Sequence, residues 1–253
     1  MVFTVQTIQV ATYLGAALSV GIASITCGTG VGYIAGIASR GMMVQPESRD
    51  TLFRTMFIGQ AVTETGGIFS LVISLLLLFG GFDVVEGGWL RFSALLSAGL
   101  AMGLGSLGPV IGTSYAGGEA CDSICRMPKH NLTITGNMLI GQALAQTSSI
   151  FALLVSLLLL YSTPLQSSIP NITSGGILIR SFAYMGAGLA IGIGTIGPGI
   201  GIGNVAGKAS KMMGRYPRQR TFIMRTMFLG AAVSQSTAIY ALIISFLLIF
   251  AVK

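Results

Sequence analysis

Residues 59–69, GQAVTETGGIF, return as GQALAQTSSIF at 141–151 and as GAAVSQSTAIY at 230–240. The copies open on Gly59, Gly141 and Gly230, spaced 82 and 89 residues apart. A second apolar segment precedes each copy: LSVGIASITCGTGVGYIAG (18–36), LAMGLGSLGPVIGTSYAGG (100–118) and LAIGIGTIGPGIGIGNVAG (189–207). The unit is a glycine-rich segment, a polar loop, then a segment rich in Leu and Phe. A chain that repeats one such unit must stack its copies, because no copy buries its apolar face alone.

The segments are too apolar for water. Of 253 residues 53% are hydrophobic and only 8% charged, against roughly 25% charged in soluble domains. The mean hydropathy is +0.83. Apolar runs of about 20 residues or more cross a bilayer as helix, and six are expected, at 11–38, 52–80, 91–118, 133–161, 177–208 and 222–251. The fold class is an all-α membrane protein of three tandem helical hairpins, 1–82, 83–165 and 166–253. All three repeats have the same topology, unlike the inverted repeats of many secondary transporters. The 36 glycines let neighbouring helices approach closely. The glycine-rich helices should therefore form an inner layer, with the Leu/Phe helices outside it, as a curved wall or part of a ring.

Lys and Arg set the orientation. Arg40, Arg49 and Arg54 flank the first hairpin loop, and Arg126 and Lys129 the second. The third carries Lys208, Lys211, Arg215, Arg218, Arg220 and Arg225. The other side has only Arg91, Arg180 and Lys253. The loops should face the cytoplasm or its organellar equivalent, as in a bacterial inner membrane or an organelle inner membrane. The net charge of +7 does not point to nucleic acid, because no basic patch is interleaved with aromatics; the bilayer is the expected partner. The start, MVFTVQTIQ, lacks the basic n-region of a signal peptide and is expected to begin the mature chain.

Other signals are weak. GLGSLG (103–108) and GIGTIG (192–197) fit the dinucleotide-binding pattern, but no strand precedes them and no acidic residue follows at the required distance. AGKAS (206–210) has Ala209 where a phosphate loop needs Ser or Thr. Cys121, Cys125 and His130 match no zinc spacing. No metal centre or cofactor is expected.

Glu64 is different. It is the only charged residue between Met56 and Phe82, and the other copies have Gln146 and Gln235 in its place. A carboxylate in mid-membrane costs roughly 2.5–3.5 kcal/mol on insertion scales, and such residues are functional by default. Hydrocarbon favours the neutral acid, while an ionised one needs a cation or a polar cleft. Glu64 is thus a reversible carrier site, supported by Gln60 one helical turn earlier and by Thr63 and Thr65. Glutamine could do a purely structural job, as Gln146 and Gln235 suggest.

At these residues the chain resembles the c subunit, or proteolipid, of rotary ATPases, closest to the F-type. The glycine-rich helix, the Pro-bearing loop and GQAVTETGGIFSLVISLLLLF (59–79) carry the resemblance, three times over nearly the whole chain. It implies hairpins set side by side in a membrane rotor ring with other c subunits, in a homo- or hetero-oligomer. It implies that Glu64, with Gln60, Val62, Thr63 and Thr65 around it, carries H+ or Na+ past a stator a subunit bearing an arginine. ATP chemistry then belongs to other subunits, and this chain is not itself catalytic. The loop pieces Gln45-Pro46, Arg126-Met127-Pro128 and Arg215-Tyr216-Pro217 would contact the central stalk. Gln146 and Gln235 make two sites inactive; fusion with site loss is similar to the V-type proteolipids.

Sodium-binding members carry a glutamine where this chain has Val31, Thr113 and Ile202, and a tyrosine where it has Phe69. Protons are therefore the expected ion, with Na+ the alternative, which Thr113 keeps open. One carboxylate in six helices suggests a machine biased toward ATP-driven pumping, unless ordinary two-helix copies share the ring. The alternatives to a rotor are a non-rotary channel or transporter, which would need more buried polar groups, and a purely structural proteolipid.

Overall fold

In a bilayer every backbone N–H and C=O must be satisfied within its own segment, so long apolar runs become helices. The computed structural model describes residues 5–81, 88–161 and 174–252. Helix α1 spans Val5–Val44 and α2 Arg49–Phe79; α3 spans Gly88–Arg126 and α4 Asn131–Tyr161; α5 spans Ser174–Gly194, α6 Ile196–Arg215 and α7 Arg220–Phe250. With α5 and α6 counted as one, six spans are long and apolar enough to cross a membrane. The hairpin boundaries expected at 82/83 and 165/166 lie outside the described residues.

The helices run further than the apolar stretches. Helix α1 reaches Val44, and α3 begins at Gly88, where apolarity alone sets the limits at 38 and 91. Backbone hydrogen bonding continues through polar residues until something stops it. At the loops that stop is proline, which pushes the preceding residue out of the α region. Gln45, Met127 and Tyr216 all take φ between −129° and −137° before Pro46, Pro128 and Pro217. One 3-10 turn follows in each case, closed by Ser48, His130 and Gln219 donating to those same three residues' carbonyls at 3.0–3.1 Å. The bend is one structure used three times.

The fifth expected span runs as one segment, Gly175–Arg215, with a single non-helical residue at Thr195. Helix α5 ends at Gly194 and α6 begins after Thr195. Pro198 lacks the N–H that would bond to the Gly194 carbonyl, and its ring crowds that carbonyl. Pro109 occupies the matching position in α3, which stays continuous. Helix α3 packs against both α1 and α6, whereas the α5–α6 span ends its layer.

The layers form as expected. Helices α1, α3 and α5–α6 lie side by side in chain order, with α3 in the middle, and α2, α4 and α7 form the second layer over them. Glycine permits the first layer. A Cβ on Gly99 would enter the backbone of Gly15, one on Gly112 that of Gly199, and one on Gly203 that of Gly112. The three bends stand at one end, where Gly41 lies against Cys125 and Gly214 against Ser123.

Candidate functional site

The three second-layer helices are each 31 residues long. Glu64, Gln146 and Gln235 are their central residues, each fifteen from either end. At 1.5 Å per residue that is about 22 Å from each helix end, so all three stand at one depth, near mid-membrane. Their surroundings differ. Glu64 is exposed on the outer edge of α2, and its carboxylate has no hydrogen-bond or ion-pair partner among the described residues. Gln146 is 7% exposed, and its Nε2 donates to the Val62 carbonyl across the first seam at 3.1 Å. Gln235 accepts from the Ser148 hydroxyl across the second seam at 3.1 Å.

The residues expected around Glu64 are close in sequence but bond elsewhere. Gln60 Nε2 donates to the Val31 carbonyl at 3.1 Å. Thr63, fully buried, donates to the Gly59 carbonyl at 2.8 Å. Thr65 donates to the Val62 carbonyl at 2.7 Å. Hydroxyls inside helices fold back on carbonyls three or four residues earlier when no other acceptor is near. Thr113 does the same, donating to Val110 at 3.0 Å, and its carbonyl accepts from Gln142 at 2.9 Å. Val62 contributes its carbonyl rather than its side chain.

The seams carry further polar residues outside the expected ion site. The hydroxyls of Thr55 and Thr135 meet at 3.2 Å across the first seam. Gln142 Nε2 also donates to the Gly59 carbonyl at 3.1 Å. In the second seam Asn137 Nδ2 donates to the Ser210 hydroxyl at 2.9 Å and the Ala206 carbonyl at 3.3 Å. Near the bends Glu119 faces Lys211 at 3.2 Å and Lys208 at 3.8 Å. The only signal for the polar set was that Thr55, Asn137 and Thr226 share one repeat position.

In the loops, Gln45 and Met127 precede the prolines, and Arg126 is held by Asp122 through two bonds at 3.0 and 3.2 Å. Arg215 is exposed beside Tyr216 and Pro217. Cys121 and Cys125 are buried free thiols, and Cys125 donates to the Gly41 carbonyl at 3.5 Å.

The repeated hairpin has counterparts among known proteins. The family of ATP synthase C subunits matches residues 14–77, 96–159 and 185–248. The chain belongs to the ATP synthase C-subunit family. Over 240 residues it is 30% identical to the K subunit of the A-type ATP synthase of Methanocaldococcus jannaschii, covering 95% of this chain and 96% of that protein. Shorter relatives match over about one repeat's length. The ATP synthase c subunit of Natranaerobius thermophilus is 51% identical over 77 residues, 30% of this chain and 88% of its own. That of Alkaliphilus oremlandii is 47% identical over 78 residues, 31% of this chain and 88% of its own. This c-subunit chain is thus a rotor-ring proteolipid with three fused hairpins.

Proposed function

We propose that this chain is the non-catalytic, ion-carrying subunit of a rotary ATPase and that Glu64 is its carrier group, taking protons across the bilayer. The observation that carries this reading is the contrast at mid-membrane. Glu64 is exposed and has no partner among the described residues, while Gln146 and Gln235, at the same depth, are tied into seams. A group that must exchange its ion with a passing stator has to be reachable and free of fixed partners. The arginine of a stator a subunit would supply the opposing charge.

Protons are favoured over Na+ by the oxygens around Glu64. A bare hard cation needs several oxygen ligands. Here the Gln60 amide and the Thr63 and Thr65 hydroxyls turn their protons to backbone carbonyls rather than to Glu64, and Val31 and Phe69 offer no side-chain oxygen. The three bends, through Gln45, Pro46, Arg126, Pro128, Arg215 and Pro217, are the surface for the central stalk. By the excess of Lys and Arg this end lies on the cytoplasmic or matrix-like side.

Carbodiimide labelling of the purified complex with peptide mapping, over a pH series with and without sodium, tests the assignment. Labelling of Glu64 that follows pH and ignores sodium is expected. Suppression by sodium would make Na+ the ion. A complex in which Glu64 never labels would overturn its carrier role.

A further inference from the structure

The two seams are built from one repeat but are not filled alike. In the first, Gln142 is fully buried, and its Nε2 donates to the Gly59 and Thr113 carbonyls at 3.1 and 2.9 Å. The third hairpin has Ala231 at the position of Gln142 and Ile202 at that of Thr113. Ala231 stops at its Cβ. Beside it, between α4 and α7, stands a cavity of about 360 Å³ walled by Leu144, Ile150, Phe151, Ile202 and Phe228.

Two polar side chains also line this cavity, Gln235 and Thr147. Gln235 Oε1 takes the Ser148 hydroxyl at 3.1 Å. Its Nε2 is buried and has no hydrogen-bond partner among the described residues. Buried polar atoms are nearly always paired, so an orphaned one needs an explanation. Thr147 gives its proton to the Leu144 carbonyl at 2.6 Å, and its oxygen keeps lone pairs with which to accept.

Depth and lining define what fits. Gln235 is the central residue of α7, so the cavity lies at hydrocarbon depth. It opens on the outer layer, where Ile150 and Phe228 are exposed. Its volume falls within the roughly 300–1,000 Å³ of small-molecule sites, which pair apolar walls with a few placed polar groups. We propose that the second seam binds a small hydroxyl-bearing hydrophobe drawn from the bilayer. The hydroxyl sits between Gln235 and Thr147, and the apolar body lies against the Leu, Ile and Phe walls. The inference does not depend on the carrier role of Glu64.

The hydroxyl is the part the polar atoms select. It both accepts and donates, so it takes the Nε2 proton of Gln235 and gives its own to the Thr147 oxygen. An alkane would leave the amide orphaned. Water alone would leave the walls unfilled, since apolar cavities stay dry and take up small hydrophobes instead. The first seam offers no such site at the matching place: Gln142 occupies it, and Gln146 Nε2 is already held by the Val62 carbonyl.

The test is photolabelling of the whole purified complex with an octanol that carries a diazirine, followed by peptide mapping. The octane analogue serves as the control. The octanol is expected to label α4 at 144–151 and α7 at 228–235, and unlabelled octanol to compete this labelling away. Ala231→Gln restores the residue that the other two copies carry, and is expected to abolish the competed labelling. Ala231→Leu fills the same space without an amide and is expected to do likewise. Gln235→Leu is expected to remove the preference for octanol over octane. Labelling that octanol does not compete, that survives in the Ala231 variants, or that octane gives equally well in the unaltered complex would overturn the proposal.

Discussion

Gln146 donates from Nε2 to the carbonyl of Val62 at 3.1 Å, tying the second hairpin to the first at mid-membrane depth. The residue that holds this place in the first hairpin is Glu64, and there the side chain has no partner among the described residues. One repeat position therefore does two jobs. As an amide it fastens a seam without charge. As an acid on an open edge it is left to exchange its ion.

Replacing Glu64 by Gln removes the only carboxyl group at that depth among the described residues. ATP-driven ion uptake by the reconstituted complex is expected to fall to the leak level, and carbodiimide labelling of the chain to disappear. Uptake at the wild-type rate would mean that the chain's role is structural.

Replacing Gln146 by Leu removes a seam hydrogen bond and no carrier. The cost is expected to be about 0.5–1.5 kcal/mol, the usual net worth of such a bond. It would be read as easier dissociation of the ring in detergent, with the ion yield per ATP unchanged. A changed yield would show that Gln146 takes part in transport.

Gly112 and Gly136 should respond in opposite ways. A side chain at Gly112 overlaps the backbone of Gly199, whereas Gly136 has nothing within 4 Å. Gly112→Val is expected to cost about 1–3 kcal/mol or more through overpacking and to lower the yield of assembled ring. Gly136→Ala should leave the yield unchanged. Thermal dissociation of the purified ring measures both.

Glu119 faces two lysines from α6, and its side chain is 22% exposed. Glu119→Gln should weaken the second seam by at most about 1 kcal/mol, as expected for a partly solvated pair. The difference from wild type should shrink as salt rises. Melting of the two proteins at low and high ionic strength tests this, and a salt-independent difference would point to packing instead.

Six spans, their pairing and the two layers were legible in the sequence because a repeat and a hydropathy pattern report them directly. Helix ends were not, since apolarity marks where hydrocarbon begins rather than where hydrogen bonding stops. The break at Thr195 was hidden for a subtler reason. Pro198 and Pro109 share one repeat position, so the sequence does not separate the interrupted helix from the continuous one. Glu64 stood out as a lone charge in an apolar run. The partners of Gln60, Thr63 and Thr65 did not, because each had a choice of acceptors that the folded helices settle.

The seams between hairpins are chemically different. A threonine pair closes the first, and an asparagine bonded to a serine closes the second. A ring of separate identical hairpins cannot do this, because any substitution on one face appears at every joint. Covalent fusion lifts that symmetry. Each joint in the triplet can be tuned, loosened or tightened alone, so mutations that would cripple a uniform ring become local adjustments here.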